Sequence, residues 1–265
     1  MARPRARTAA GFPALATGLL ALSWAALLVW EATPYGRYLH HGDWASAGLA
    51  GTICTVVPGG AWLVPGLLYT GGWLLMTAAM MLPTTLPLVR LFDRMIAVRA
   101  DRTALHGLLI AGYLTVWAGF GVAAHVLDRA LHAALADRAW VIAHAEVPGA
   151  VILAVAGAFQ FSALKYHCLD KCRTPLGFVT SHWHGPRPWR AAFRLGLSHG
   201  AYCVGCCWAL MLLMFVVGTG SLGWMLLLGL VMAVEKNHPW GRHLSKPIGG
   251  ILLAGAGFVL LRAMA

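Results

Sequence analysis

The segment Ser198–Met214 reads SHGAYCVGCCWALMLLM. It sets three cysteines, a histidine and two methionines in a run that is otherwise apolar or small. An apolar run of this length predicts a transmembrane helix, because about twenty residues at 1.5 Å each cross a hydrocarbon core of about 30 Å. The rest of the chain agrees. Of its 265 residues 59% are hydrophobic and 11% charged, whereas a soluble domain carries roughly a quarter charged residues. Strict alternation of apolar and polar residues, the mark of a barrel, does not occur. The fold class expected is an all-α, polytopic transmembrane helical bundle forming one domain over 1–265.

Seven spans are expected, at about 11–30, 66–90, 105–127, 147–165, 192–217, 221–236 and 247–263. The last two are short. The basic N-terminal head and apolar body resemble a signal peptide. The run is long and no clear small-residue cleavage site follows it, so a retained first helix is expected. With the N-terminus in the cytoplasm, sixteen of the 20 Lys and Arg residues fall on inner segments. Only Arg37, Arg129, Arg138 and Arg262 fall outside. That asymmetry is the positive-inside pattern, and it puts the C-terminus outside. It also accounts for the net charge of +11 without a nucleic-acid partner. Segment 32–65 is expected along the outer interface.

On a helix at about 100° per residue, with His199 at zero, Cys203 falls near 40°, Cys206 near −20°, Cys207 near 80° and Met214 near 60°. Met211 lies at the edge of this stripe and Trp208 opposite it. Cysteine and methionine can serve as packing. Three cysteines and a histidine on one face favour ligation or thiol chemistry.

Two further clusters stand near span ends. In FQFSALKYHCLDKCRTPLGF, Cys168 and Cys172 are at i, i+4 and meet on one face if the helix continues. Lys165, Lys171 and Arg173 are placed to favour their thiolates. In GWLLMTAAMMLPTTLPL, Met76 and Met80 share a face and Met81 lies off it, while Pro83 and Pro87 break the helix and free carbonyls. Met225 and Met232, at i, i+7, are core residues by default. Glu235 stands beside Lys236, and an ion pair between them is the simplest reading. The histidines of SHWHGP, His182 and His184, and the external His40, His41 and Asp43 carry less weight as metal contacts.

Thiolate, thioether and imidazole form a soft donor set that selects Cu(I), with zinc as the competitor for Cys and His alone. The alternative is a membrane thiol–disulfide oxidoreductase working through the C-x-x-C of Cys203 and Cys206. Topology opposes it, because Cys168 and Cys172 would face the reducing cytoplasm and Cys54 has no external partner. No phosphate-binding loop is present to energise transport.

The blocks WLLMTAAMMLP (Trp73–Pro83), LKYHCLDKCRTPLGF (Leu164–Phe178), GAYCVGCCWALM (Gly200–Met211) and VEKNHPWG (Val234–Gly241) resemble a bacterial uncharacterised-domain family. That family is described as predicted metal-binding integral membrane proteins, sometimes labelled copper chaperones. The resemblance covers nearly the whole chain beyond the first helix and implies metal binding in a bacterial inner membrane.

The expected function is Cu(I) handling, by delivery or passage to a copper-accepting protein, rather than enzymatic catalysis. Cys203, Cys206, Cys207 and His199 are the expected primary ligands. Met76, Met80, Met211 and Met214 are secondary, and Cys168 with Cys172 is an inner-face docking or exchange pair. The expected partners are the metal ion, the lipid bilayer and the acceptor.

Overall fold

The computed structural model describes residues 11–32, 63–135, 144, 146–217 and 222–264. Most of the expected external segment, with Cys54, His40, His41 and Asp43, lies outside them. Among the described residues every regular element is a helix. The order is α1 (Gly11–Ala32), α2 (Leu63–Met81), a 3-10 turn (Pro83–Thr85), α3 (Leu86–Met95), α4 (Arg102–Leu135), α5 (Val147–Phe159), α6 (Ala163–Arg173) and α7 (Pro175–His182). Then follow α8 (Pro188–Leu212), α9 (Met214–Val217), α10 (Leu222–Asn237), a 3-10 turn (Gly241–Leu244) and α11 (Ser245–Met264).

Among the described residues, three helical stretches are long and apolar enough to cross a membrane, where seven spans are expected from the sequence: Arg102–Leu131, Pro188–Leu212 and Gly241–Ala263. Two more stretches qualify if each bent pair counts as one span, giving up to five. α10 has 16 residues, fewer than the twenty or so that a perpendicular crossing takes.

The two bends have local causes. Between α2 and α3 the axis turns by 44°. Pro83 and Pro87 cannot donate to the helix ladder. The hydroxyls of Thr84 and Thr85 instead donate to Met81 O at 2.7 Å and Leu82 O at 2.8 Å. Between α5 and α6 the turn is 64°. There Ser162 stops the expected 147–165 helix early. Its backbone is extended, and its hydroxyl accepts from Lys165 N at 3.1 Å, capping a new helix. That new helix runs through both Cys168 and Cys172.

α4 and α8 form the most extensive helix pair. Small residues let them close: a Cβ on Gly200 would lie 3.0 Å from Tyr113 O and 3.1 Å from Val116 Cβ. This approach carries the Tyr113 side chain up to the thiols one turn beyond Gly200. One core cluster surrounds the α8 sulfur stripe with Trp73, Met76, Met80, Met81, Trp117, Met225 and Met232. A second joins α3, α4, α7 and the start of α8 through Phe92, Ile96, Leu105, Phe178 and Leu195.

Burial is inverted relative to a soluble protein. Lys165, Glu235 and Lys236 are 0%, 2% and 5% exposed, whereas Ile251 and Leu261 are each 71% exposed. Lys165 and Lys236 therefore do not act as loop cations of the positive-inside count.

Candidate metal centre

Cys203, Cys206 and Cys207 lie on the inward face of α8, all buried. Cys206 and Cys207 each donate S–H to the Cys203 carbonyl, at 3.1 and 2.8 Å. The Cys203 sulfur takes its contacts from other helices. Lys236 Nζ of α10 donates to it at 2.8 Å, and the Tyr113 hydroxyl of α4 is hydrogen-bonded with it at 3.0 Å. Met81 closes the cluster from α2, its Sδ 3.8 Å from Cys207 Sγ and 3.9 Å from Lys236 Nζ. Lys236 Nζ also reaches Thr84 Oγ1 at 3.3 Å and Cys207 Sγ at 4.0 Å. The Cys172 side chain of α6 meets that of Cys206. Sulfur from three separate helices thus converges, with an ammonium among it. The five cysteines within the described residues are all free thiols.

Among the described residues no three His, Cys, Asp or Glu side chains are arranged to hold a metal ion by themselves. The geometry explains this. Two of the α8 thiols are turned onto a carbonyl, and the third is engaged by Lys236 and Tyr113. A shared ion therefore requires rotation of thiol side chains, with Met81 as a further donor. Such χ1 rotations are moves between ordinary staggered wells.

The sequence profile of a family described as copper chaperone, PpoB2, matches residues 70–259. The chain belongs to this family. No curated protein and no solved structure matches the chain. The copper chaperone match begins inside α2 and ends inside α11, so it takes in every side chain of the thiol cluster. It points to copper as the metal handled.

Within the fold the expected residues are distributed unevenly. The three α8 cysteines stand together with Cys172. Cys168 packs on the flank of α8, where a Cβ on Gly205 would lie 2.6 Å from its sulfur. His199 is buried one turn before Cys203, with its ring stacked on Tyr113 at 5.8 Å and edge-on to Phe178 at 5.5 Å. Its Nδ1 has no hydrogen-bond partner among the described residues. Met76, Met80, Met211 and Met214 are buried in the same core. Met80 lies against Gly229 of α10. α8 stops at Leu212, and after a turn at Leu213, whose backbone stays helical, α9 begins at Met214. His182 caps α7, hydrogen-bonded to Phe178 O at 2.9 Å and stacked on the Phe178 ring.

Two expectations are corrected. Glu235 does not pair with Lys236. Successive helical residues point about 100° apart, so Glu235 faces Lys165 of α6, with both oxygens 2.9 Å from its Nζ, while Lys236 faces the thiols. Nor do the α6 cations surround Cys168 and Cys172. Lys165 is held by Glu235 and Gln160, Arg173 donates to the carbonyls of Glu235 and Pro239, and Lys171 is exposed. The cation beside the thiols is Lys236.

Sequence reasoning missed Lys236, Tyr113, Thr84 and, as a sulfur neighbour, Met81. A signal for Lys236 existed. It lies four residues after Met232 and eleven after Met225, on the face of α10 that those methionines mark as inward.

Proposed function

We propose that the chain is a multi-pass protein of the bacterial inner membrane that binds Cu(I) as cargo and hands it to a copper-accepting protein. The observation that carries this reading is the convergence of thiols and a thioether from α2, α6 and α8 in a cluster that, among the described residues, is free of carboxylate. Cys203, Cys206, Cys207 and Met81 form a donor set softer than zinc prefers, because thioether sulfur suits Cu(I). The family described as copper chaperone supports the choice of metal.

The inverted burial supports the membrane setting. Buried lysines and a glutamate face the bundle interior while leucine, isoleucine and phenylalanine face outward, the arrangement lipid imposes. The seven-span topology with a cytoplasmic N-terminus rests on the charge asymmetry. Cys172, half-buried and in contact with Cys206, is the exchange residue of this reading, and Cys168 supports it from the flank of α8. His199 lies in an aromatic stack beside the thiols, and the α8 cysteines with Met81 carry the binding.

The test is a Cu(I) competition titration of the reduced full chain in detergent against a chromophoric Cu(I) chelator. Wild-type protein should hold Cu(I), and the double substitution Cys203→Ser, Cys206→Ser should release it to the chelator. Equal retention by the double variant rejects the proposed site.

A further inference from the structure

Among the described residues, the thiol cluster contains one positive charge that no carboxylate answers. Lys236 is 5% exposed, and its Nζ touches Cys203 Sγ, Thr84 Oγ1, Met81 Sδ and Cys207 Sγ at 2.8, 3.3, 3.9 and 4.0 Å. The nearest acidic residue along the chain, Glu235, is already neutralised by Lys165 and accepts a further hydrogen bond from Ser245 Oγ at 2.8 Å. Arg173 is spent on backbone carbonyls. The charge of Lys236 is therefore left to the sulfurs.

A buried charge is costly unless another charge or a hydrogen-bond shell compensates it. When two thiolates ligate Cu(I), the complex carries one negative charge. With the Lys236 ammonium beside it, the site sums to zero. The same two thiolates on a divalent ion are neutral by themselves, and Lys236 then leaves the site at plus one. To reach neutrality a divalent ion needs a third thiolate, with the loss of a third thiol proton to solvent. The ammonium thus separates the two metals by charge alone, in a region where charges are poorly screened.

We propose that Lys236 is a specificity-determining residue: its fixed ammonium neutralises an anionic bis-thiolate Cu(I) complex and disfavours divalent ions at the same thiols. This rests on the Cu(I) reading above. Lys236 is a positioning residue in this role, because it touches the ligands rather than the ion.

The experiment measures Cu(I) and Zn(II) affinities of the reduced full chain in detergent, each by competition with a chromophoric chelator. The proteins compared are wild type, Lys236→Gln and the charge swap Thr84→Lys with Lys236→Thr. Methionine is avoided at 236 because it would add a soft donor. The expected result for Lys236→Gln is a Cu(I) affinity at least tenfold lower with a Zn(II) affinity unchanged or higher. The charge swap, which brings an ammonium to the same sulfurs from the opposite wall, should return the Cu(I)-to-Zn(II) ratio to within about threefold of wild type. A Cu(I) affinity unchanged in Lys236→Gln overturns the proposal, as does an equal loss for both metals. If Lys236→Gln does not fold, the swap decides: a wild-type ratio supports the proposal and a collapsed ratio overturns it. Wild-type protein that binds no Cu(I) overturns the Cu(I) reading itself, a result distinct from wild-type binding that Lys236→Gln leaves unchanged.

Discussion

Two neighbouring residues of α10 open onto two buried polar clusters of opposite character. Glu235 enters a closed one: Lys165 Nζ lies 2.9 Å from both of its oxygens, Ser245 donates to it, and Gln160 accepts from Lys165. Every charge there has a counter-charge, and the members come from α6, α10, α11 and the α5–α6 turn, tying them together. Lys236 enters an open cluster, in which, among the described residues, its ammonium meets the sulfurs of Cys203, Cys207 and Met81 and the Thr84 hydroxyl. In the first cluster the charges balance as they stand. The second has donor capacity left over, which is what a binding site needs and a structural network avoids.

The sharpest way to break this contrast is to open the closed cluster. Lys165→Met leaves the Glu235 carboxylate buried without its cation and should destabilise the protein by about 3–5 kcal/mol. Thermal unfolding in detergent measures this, and the double variant Lys165→Met, Glu235→Leu should recover most of the loss. In the open cluster, Cys203→Ser should do the reverse. Cu(I) affinity should fall roughly a hundredfold, about 2.8 kcal/mol, while unfolding shifts by less than about 1 kcal/mol. A large stability loss without loss of affinity would erase the distinction between the clusters.

A smaller effect tests which methionine belongs to the site. Met81→Leu conserves volume and should cost less than about 1.5 kcal/mol in stability, but it should weaken Cu(I) binding by about tenfold, or 1.4 kcal/mol. Met76→Leu and Met80→Leu should leave the affinity unchanged in the same titration. The smallest effect lies outside both clusters, in the exposed loop between α3 and α4. Hydrogen bonds from Arg99 and then from the Trp189 indole hold the Asp101 carboxyl down to about 2. An unfolded aspartate titrates near 3.9. The stabilisation is therefore full above about pH 4 and fades as pH falls toward 2. Asp101→Asn should flatten that acid dependence in a pH series of unfolding curves and leave Cu(I) binding alone.

The all-helical class was legible because apolar runs and helix breakers are local signals, whereas three to five of the seven expected spans are long and apolar enough among the described residues. Pro83 and Pro87 announced the first bend, and the 3.6-residue period put Cys203, Cys206 and Cys207 on one inward face. The second bend was not legible, because Ser162 caps a helix in a stretch whose composition continues the apolar run. The partner of Glu235 was misread for a related reason. Sequence neighbours suggest a pair, but helical rotation sends residues 235 and 236 to different helices, and Lys165 is 70 positions away. Met81 was set aside because a straight helix faces it away from Met76 and Met80. The cluster is built where that helix ends, and α8 and α10 reach Met81 there from another side.

The most direct test of the central claim, that sulfur from several helices shares one monovalent ion, is X-ray absorption at the copper edge of the reduced, Cu(I)-loaded full chain. The account predicts a first shell of sulfur that is lost in the Cys203→Ser, Cys206→Ser variant. A shell of nitrogen or oxygen, or a spectrum identical in the variant, would contradict it.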